Sequence, residues 1–203
     1  MNFLAHIYLS GADEALITGN FMGDFFKAST WRTLPRGYAN GVLLHRLIDS
    51  FTDEHPVSAD LRSILHPVCG KYAGIALDMM YDHLLASNWA AFAALPLEKF
   101  AQTSYEILQR HSDVMPNNCK HMLHFFTQED WLTSYQTTEG IAFALQRMER
   151  RYGGDIGFDG VIPAYDAAFN RFNAGFQRIF PELQRRCSEK IISFASQGKD
   201  IID

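Results

Sequence analysis

Histidines and aspartates mark the chemistry open to this chain. His45 and Asp49 stand four residues apart, so on a helix both side chains project from one face. Asp78 and Asp82 repeat that interval, and His83 follows about 100° further round the same helix. Asp24 closes the segment GNFMGDF, and His6 lies in the opening MNFLAHIYLS. Separate segments thus each offer a carboxylate oxygen or an imidazole nitrogen, donors that Mn²⁺ or Mg²⁺ prefers to thiolate. Helices in a bundle can aim such side chains at one point. A divalent ion held there would acidify water and offset charge on a phosphoryl oxygen, both of which phosphodiester hydrolysis needs.

Ordinary alternatives accompany each of these residues. His45 and Asp49 alone also fit an ion pair, Asp24 a solvated carboxylate at a helix end, and His6 a core or capping histidine. Asp78 and Asp82 are like charges one turn apart, a repulsion of roughly a few tenths of a kcal/mol unless a cation lies between them. His111, His121 and His124 share no turn with a carboxylate and read as surface or core residues. Motifs for a phosphate loop, a dinucleotide turn, a nucleophile elbow and an HExxH helix are absent.

The elements that must position these groups read as helices. Valine occurs only at 42, 57, 68, 114 and 161, and no long period-2 alternation appears, so a large sheet is not expected. Ser10 with Asp13 signals a helix over 11–27. A second spans 37–53, with Leu43, Leu44, Leu47, Ile48 and Phe51 on its apolar side, and a third spans 57–66 before Pro67. Further helices are expected over 71–93, from Pro96 to 112, in two short pieces after Pro116, and over 138–151. The Gly- and Asp-rich stretch 153–163 is the clearest break, too short for a domain linker. Tyr165, Phe169, Phe172, Phe176 and Phe180 form an aromatic stripe at helical spacing, the mark of a core seam. The expectation is one all-α domain, a helical bundle, over 1–203.

Bulk properties narrow the function classes. A formal charge of −5 argues against a nucleic-acid coat. Cys69, Cys119 and Cys187 are scattered and form no CxxC pair, which suits reduced, packed thiols. Neither a signal peptide nor an apolar run of about 20 residues is visible, so a cytoplasmic protein without a membrane span is expected.

Four blocks in order, MNFLAHIYLS, GNFMGDF, LHRLIDSFTDEHP and LDMMYDHLLASNW, resemble the acyl carrier protein phosphodiesterase family. The resemblance is specific from Met1 to about Trp89 and looser beyond it. It implies an all-helical enzyme similar to the HD-type metal phosphohydrolases, with the motif order rearranged. The implied reaction cleaves the phosphodiester between the serine of holo acyl carrier protein and 4′-phosphopantetheine, with Mn²⁺ as the metal. No His-Asp dipeptide occurs, only Asp82-His83 in reverse. On this reading His6, Asp24, His45, Asp78, Asp82 and His83 are candidate metal ligands. Asp24, His45 and Asp49 serve the chemistry, and Arg46 clamps phosphate oxygens. An acidic carrier needs a local basic surface, for which Lys27, Arg32 and Arg36 are the candidates. Two other readings stay open: a helical phosphohydrolase acting on a nucleotide or another small phosphodiester, and a non-catalytic module that binds an acidic protein.

Overall fold

The chain is described from a computed structural model that covers residues 1–27 and 29–196. The expected domain over 1–203 therefore runs past the described residues at its C-terminal end. Among the described residues there is no strand, and the all-α expectation holds.

The first half builds the frame around the histidines. α1 (Phe3–Leu9) carries His6, α2 (Glu14–Phe21) leads to Asp24, and α3 (Arg36–Glu54) carries His45 and Asp49. α4 (Pro56–Cys69) turns back along α5 (Ala73–Ser87), whose residues from Met79 to Ala86 are all buried. α6 (Leu97–Arg110), α7 (Asn117–Gln128), α8 (Trp131–Ser134) and α9 (Thr138–Arg151) follow. After α10 (Val161–Ala167), α11 (Phe169–Ser196) lies against α3, α4 and α5.

Several boundaries differ from the expected ones for physical reasons. The opening decapeptide forms its own helix, α1, which the sequence pattern did not separate. The helix expected over 11–27 is shorter: Asp13, not Ser10, caps it by accepting from the Leu16 N–H at 2.9 Å. Ser10 is used otherwise, its hydroxyl donating to the His6 carbonyl at 2.8 Å. α2 ends at Phe21, and a 3-10 turn over Gly23–Phe25 carries Asp24 instead. α4 continues through Pro67 to Cys69, because a proline near a helix end removes only one ladder bond. Along the aromatic stripe, Tyr165, Phe172, Phe176 and Phe180 are buried, whereas Phe169, at the start of α11, is exposed.

Small residues set how closely α2 and α3 approach. A Cβ on Gly19 would lie 2.1 Å from the Tyr38 carbonyl oxygen, and one on Gly41 would lie 2.5 Å from that of Leu16. Ala15, Gly19 and Gly23 thus form a stripe at i, i+4 spacing that meets Gly37, Gly41 and His45 across the interface. The last of these contacts is direct: a Cβ on Gly23 would fall 2.2 Å from Cγ of His45.

α1 takes its N-terminal cap from far along the chain. The Asp82 carboxylate, fully buried on α5, accepts from the N–H groups of Leu4 at 2.7 Å, Asn2 at 3.1 Å and Ala5 at 3.3 Å. Burial pushes its carboxyl up to about 7, against the pull of the N-terminal ammonium and of these three donors. The cap makes a stability prediction. Asp82→Ala strands buried N–H groups and costs on the order of 2–3 kcal/mol, read as a lower denaturation midpoint at unchanged m-value. A midpoint within error of the parent protein contradicts it.

Candidate metal centre

His6 on α1, Asp24 on the 3-10 turn and His45 with Asp49 on α3 come from three segments and meet at one place. Ligand atoms of His6, His45 and Asp49 lie within 4.8 Å of one another. Asp49 bridges the two imidazoles, with Oδ1 3.1 Å from His6 Nε2 and Oδ2 3.0 Å from His45 Nε2. Asp24 Oδ1 lies 3.1 Å from the same His45 nitrogen. The two rings are stacked with centroids 4.2 Å apart.

Asn20 fixes both rings, and the sequence reading missed it. Its side-chain amide donates to the His6 carbonyl and to Ser10 Oγ, each at 2.8 Å, which turns Oδ1 toward His6 Nδ1 at 2.7 Å. Its backbone carbonyl accepts from His45 Nδ1 at 2.8 Å. Both Nδ1 atoms therefore carry the proton, and both Nε2 atoms turn toward the carboxylates. An oriented imidazole backed by an amide or carbonyl is the usual outer shell of a metal-binding histidine. The only signal was that Asn20 sits in GNFMGDF, four residues before Asp24.

The electrostatics leave one proton among too many acceptors. His6 Nε2 faces an Asp49 oxygen and the Met1 carbonyl, both at 3.1 Å. His45 Nε2 faces Asp24 and Asp49. Burial alone would lower the His45 imidazole, but its hydrogen bonds to Asp24 and Asp49 raise it to about 9. Burial first, and the His45 charge second, hold His6 below its ordinary value. Two stacked imidazolium ions in one buried site repel. With His6 neutral, its Nε2 lone pair points at oxygens and has no donor to meet. A cation between the four groups satisfies both lone pairs and both carboxylates, so the donor set fits a hard or borderline divalent ion. Burial would raise the Asp49 carboxyl, yet the two imidazoles that face it, His6 and His45, hold it well below the ordinary carboxylate range. The hydrogen bond from His45 lowers Asp24. The imidazoles lie inside, while the side chains of Asp49 and Asp24 are 38% and 73% exposed, so the site opens on its carboxylate side.

Other expected site residues are placed elsewhere. Asp82 caps α1, and Asp78 pairs with the Met1 ammonium at 2.7 Å, so the like charges on α5 are relieved by N–H donors and that ammonium. His83 turns to the far side of α5, donating from Nδ1 to the Tyr135 carbonyl at 2.9 Å with its ring against Tyr165. The expected ligand roles of these three meet no shared point with His6 and His45. Arg46 places its guanidinium 5.2 Å from the Trp31 ring centroid and is not among the residues that line the adjoining cavity. Of the expected basic patch, Lys27 lines that cavity, Arg32 lies over Trp31, and Arg36 donates to the Phe194 carbonyl at 3.2 Å, which ties α3 to α11. His111 pairs with Glu14 and Tyr38, holding α6 to α2 and α3.

The cavity beside the cluster measures about 670 Å³. Asp24, Lys27, Asp49 and Asp78 from the first half of the chain line it, and so do Met122, Trp131, Arg147 and Tyr152 from the second. Fold and centre together define an all-helical protein with a two-histidine, two-carboxylate site at the edge of a small-molecule-sized cavity. The sequence profile of the family described as acyl carrier protein phosphodiesterase matches residues 1–183, and the chain belongs to that family. Relatives named acyl carrier protein phosphodiesterase are similar over nearly their full length. One from Photorhabdus laumondii is 26% identical over 191 residues, 94% of this chain and 96% of the relative. One from Klebsiella pneumoniae is 27% identical over 191 residues, 94% and 99% of the two chains. One from Escherichia coli is 26% identical over 193 residues, 95% and 100%. No solved structure matches the chain.

The shared proton gives a pH prediction for metal-free protein. Its folded value lies above the ordinary 6.5, so the stabilisation from protonated His45 is full below about 6.5 and lost as pH rises through about 9. The fall in Tm across that window should shrink in His45→Gln. An unchanged fall would place the proton elsewhere.

Proposed function

We propose that this chain is a divalent-metal phosphodiesterase that releases 4′-phosphopantetheine from the serine of holo acyl carrier protein and leaves the apo carrier. The observation that carries the reading is the pair of fixed Nε2 lone pairs facing Asp49 and Asp24 at the edge of a cavity. Membership of the family supports the carrier protein as substrate. His6, His45, Asp49 and Asp24 would hold the ion, Mn²⁺ or else Mg²⁺ by its preference for oxygen and imidazole donors. When bound, the ion supplies acidified water and neutralises charge on the phosphoryl oxygens.

The chain's own residues do the rest. Asn20 holds both imidazoles in the tautomer that leaves Nε2 open. Asp49 spans the two rings and keeps them in register. Asp24, the most exposed of the four, stands where substrate enters. Lys27 adds positive charge on the same wall and, with Arg32, meets the acidic carrier. Arg46 and Arg36 are committed to Trp31 and to the Phe194 carbonyl, so they act through positioning. No described helix is long and apolar enough to cross a membrane. The buried free thiols of Cys69, Cys119 and Cys187 suit the reducing cytoplasm, where we place a protein that acts as one domain.

Incubation of holo carrier protein with the enzyme and Mn²⁺ should shift its mass down by one phosphopantetheine unit. A chelator should abolish the shift, and Asp49→Ala should slow it at least a hundredfold with loss of copurifying metal. Conversion of free nucleotides with no change in holo carrier would instead support a small-phosphodiester hydrolase, and unaltered carrier binding with no conversion would support a binding module. Reversal of Lys27 and Arg32 to Glu should raise KM for holo carrier severalfold and flatten its dependence on salt. A KM and salt slope equal to those of the parent would remove these residues from docking.

A further inference from the structure

The cavity beside the centre extends well beyond the space a phosphate needs, and its far wall differs in character from the catalytic wall. α7, α8 and α9 contribute Met122, Trp131 and Met148 together with Asn118, Arg147 and Arg151, Tyr152 follows α9, and α5 contributes Ile75. The buried Tyr135 also lines it, and its hydroxyl has no hydrogen-bond partner among the described residues. Arg147, held by Trp131 and Glu129, lines the same cavity. Apolar side chains set among polar and charged ones suit a flexible molecule that carries both methyl groups and amides.

We propose that this far wall is a subsite for the pantetheine arm, resting on the phosphodiesterase reading above. The two sides of the scissile phosphodiester differ in bulk. A folded carrier protein cannot enter a cavity of about 670 Å³, whereas a single unbranched chain fits it. With phosphorus at Asp24 and Asp49, the protein side stays at the exposed rim beside Lys27 and the arm runs inward over Tyr135. The gem-dimethyl group then meets Met122, Met148 and Ile75, and the amides meet the Tyr135 hydroxyl. Binding energy from this remote wall would position the phosphorus and separate holo carrier from simple diesters.

The test compares holo carrier protein with bis(p-nitrophenyl) phosphate, which has a scissile diester and no arm, both with Mn²⁺. Met148→Trp fills the wall and should lower the ratio of kcat/KM, holo carrier over small diester, at least tenfold. A ratio within threefold of the parent overturns the proposal. Should this variant fail to fold, judged by its circular dichroism melt, the parent protein still decides. Free 4′-phosphopantetheine should inhibit cleavage of the small diester with a Ki at least tenfold below that of methyl phosphate. Equal Ki values overturn the subsite. Failure of the parent to convert holo carrier would count against the phosphodiesterase reading alone, because the inhibitor comparison does not use the carrier.

Discussion

The close approach of α2 and α3 is the constraint on which the centre depends. Backbone meets backbone at Gly19 and Gly41, where any side chain would fall within 2.1 to 2.5 Å of a carbonyl oxygen. Helix axes separated by ordinary side chains lie about 8–10 Å apart, a gap across which a backbone carbonyl could not reach an imidazole. Here the Asn20 carbonyl meets His45 Nδ1 at 2.8 Å. The same stripe ends with Gly23 under the His45 ring, so the chain can turn there and deliver Asp24 to the other ring nitrogen. Glycines that weaken helix propensity by roughly 1 kcal/mol each are thus what lets one asparagine and one aspartate grip a single histidine from both ends.

Electrostatic frustration is then built into the centre. Other buried charged groups find partners: Asp82 accepts from three N–H groups and Asp78 pairs with the N-terminal ammonium. At His6 and His45 every Nε2 neighbour is an acceptor. A protein that wanted only stability would replace such a group with apolar side chains, because buried charges rarely repay their desolvation. Retaining two imidazoles and two carboxylates with their lone pairs converging makes sense when a cation completes the set.

Much of this was legible in the sequence, and the rest was hidden for identifiable reasons. Helical periodicity and prolines located α3 and α6 to within two residues at each end and α9 at its bounds, since each is amphipathic and opens beside a Pro or Thr. α1 escaped because its cap comes from Asp82, about eighty residues away, and no local pattern announces a cap supplied in three dimensions. The same fact misdirected the ligand reading of α5. Asp78 and Asp82 do stand one turn apart, but helix N–H groups and an ammonium, not a shared cation, are their partners. Asp49 read as an orienting partner of His45, and only the fold reveals that its second oxygen also reaches His6. Asn20 carried no charge to draw attention, yet it sets both tautomers.

The arrangement also explains why histidines line the interior and aspartates the rim. A neutral imidazole can be buried when its Nδ1–H is satisfied, and Asn20 satisfies both. A carboxylate costs far more to bury, so Asp24 stays mostly exposed on its 3-10 turn and Asp49 stands at the boundary. The gradient from buried nitrogen to exposed oxygen gives the centre a direction. Imidazole nitrogens would hold an ion from behind, while the more exposed carboxylates of Asp24 and Asp49 face the open side. Had the order been reversed, with carboxylates inside, the desolvation cost would have fallen on charged groups and the open side would have offered an ion only neutral donors.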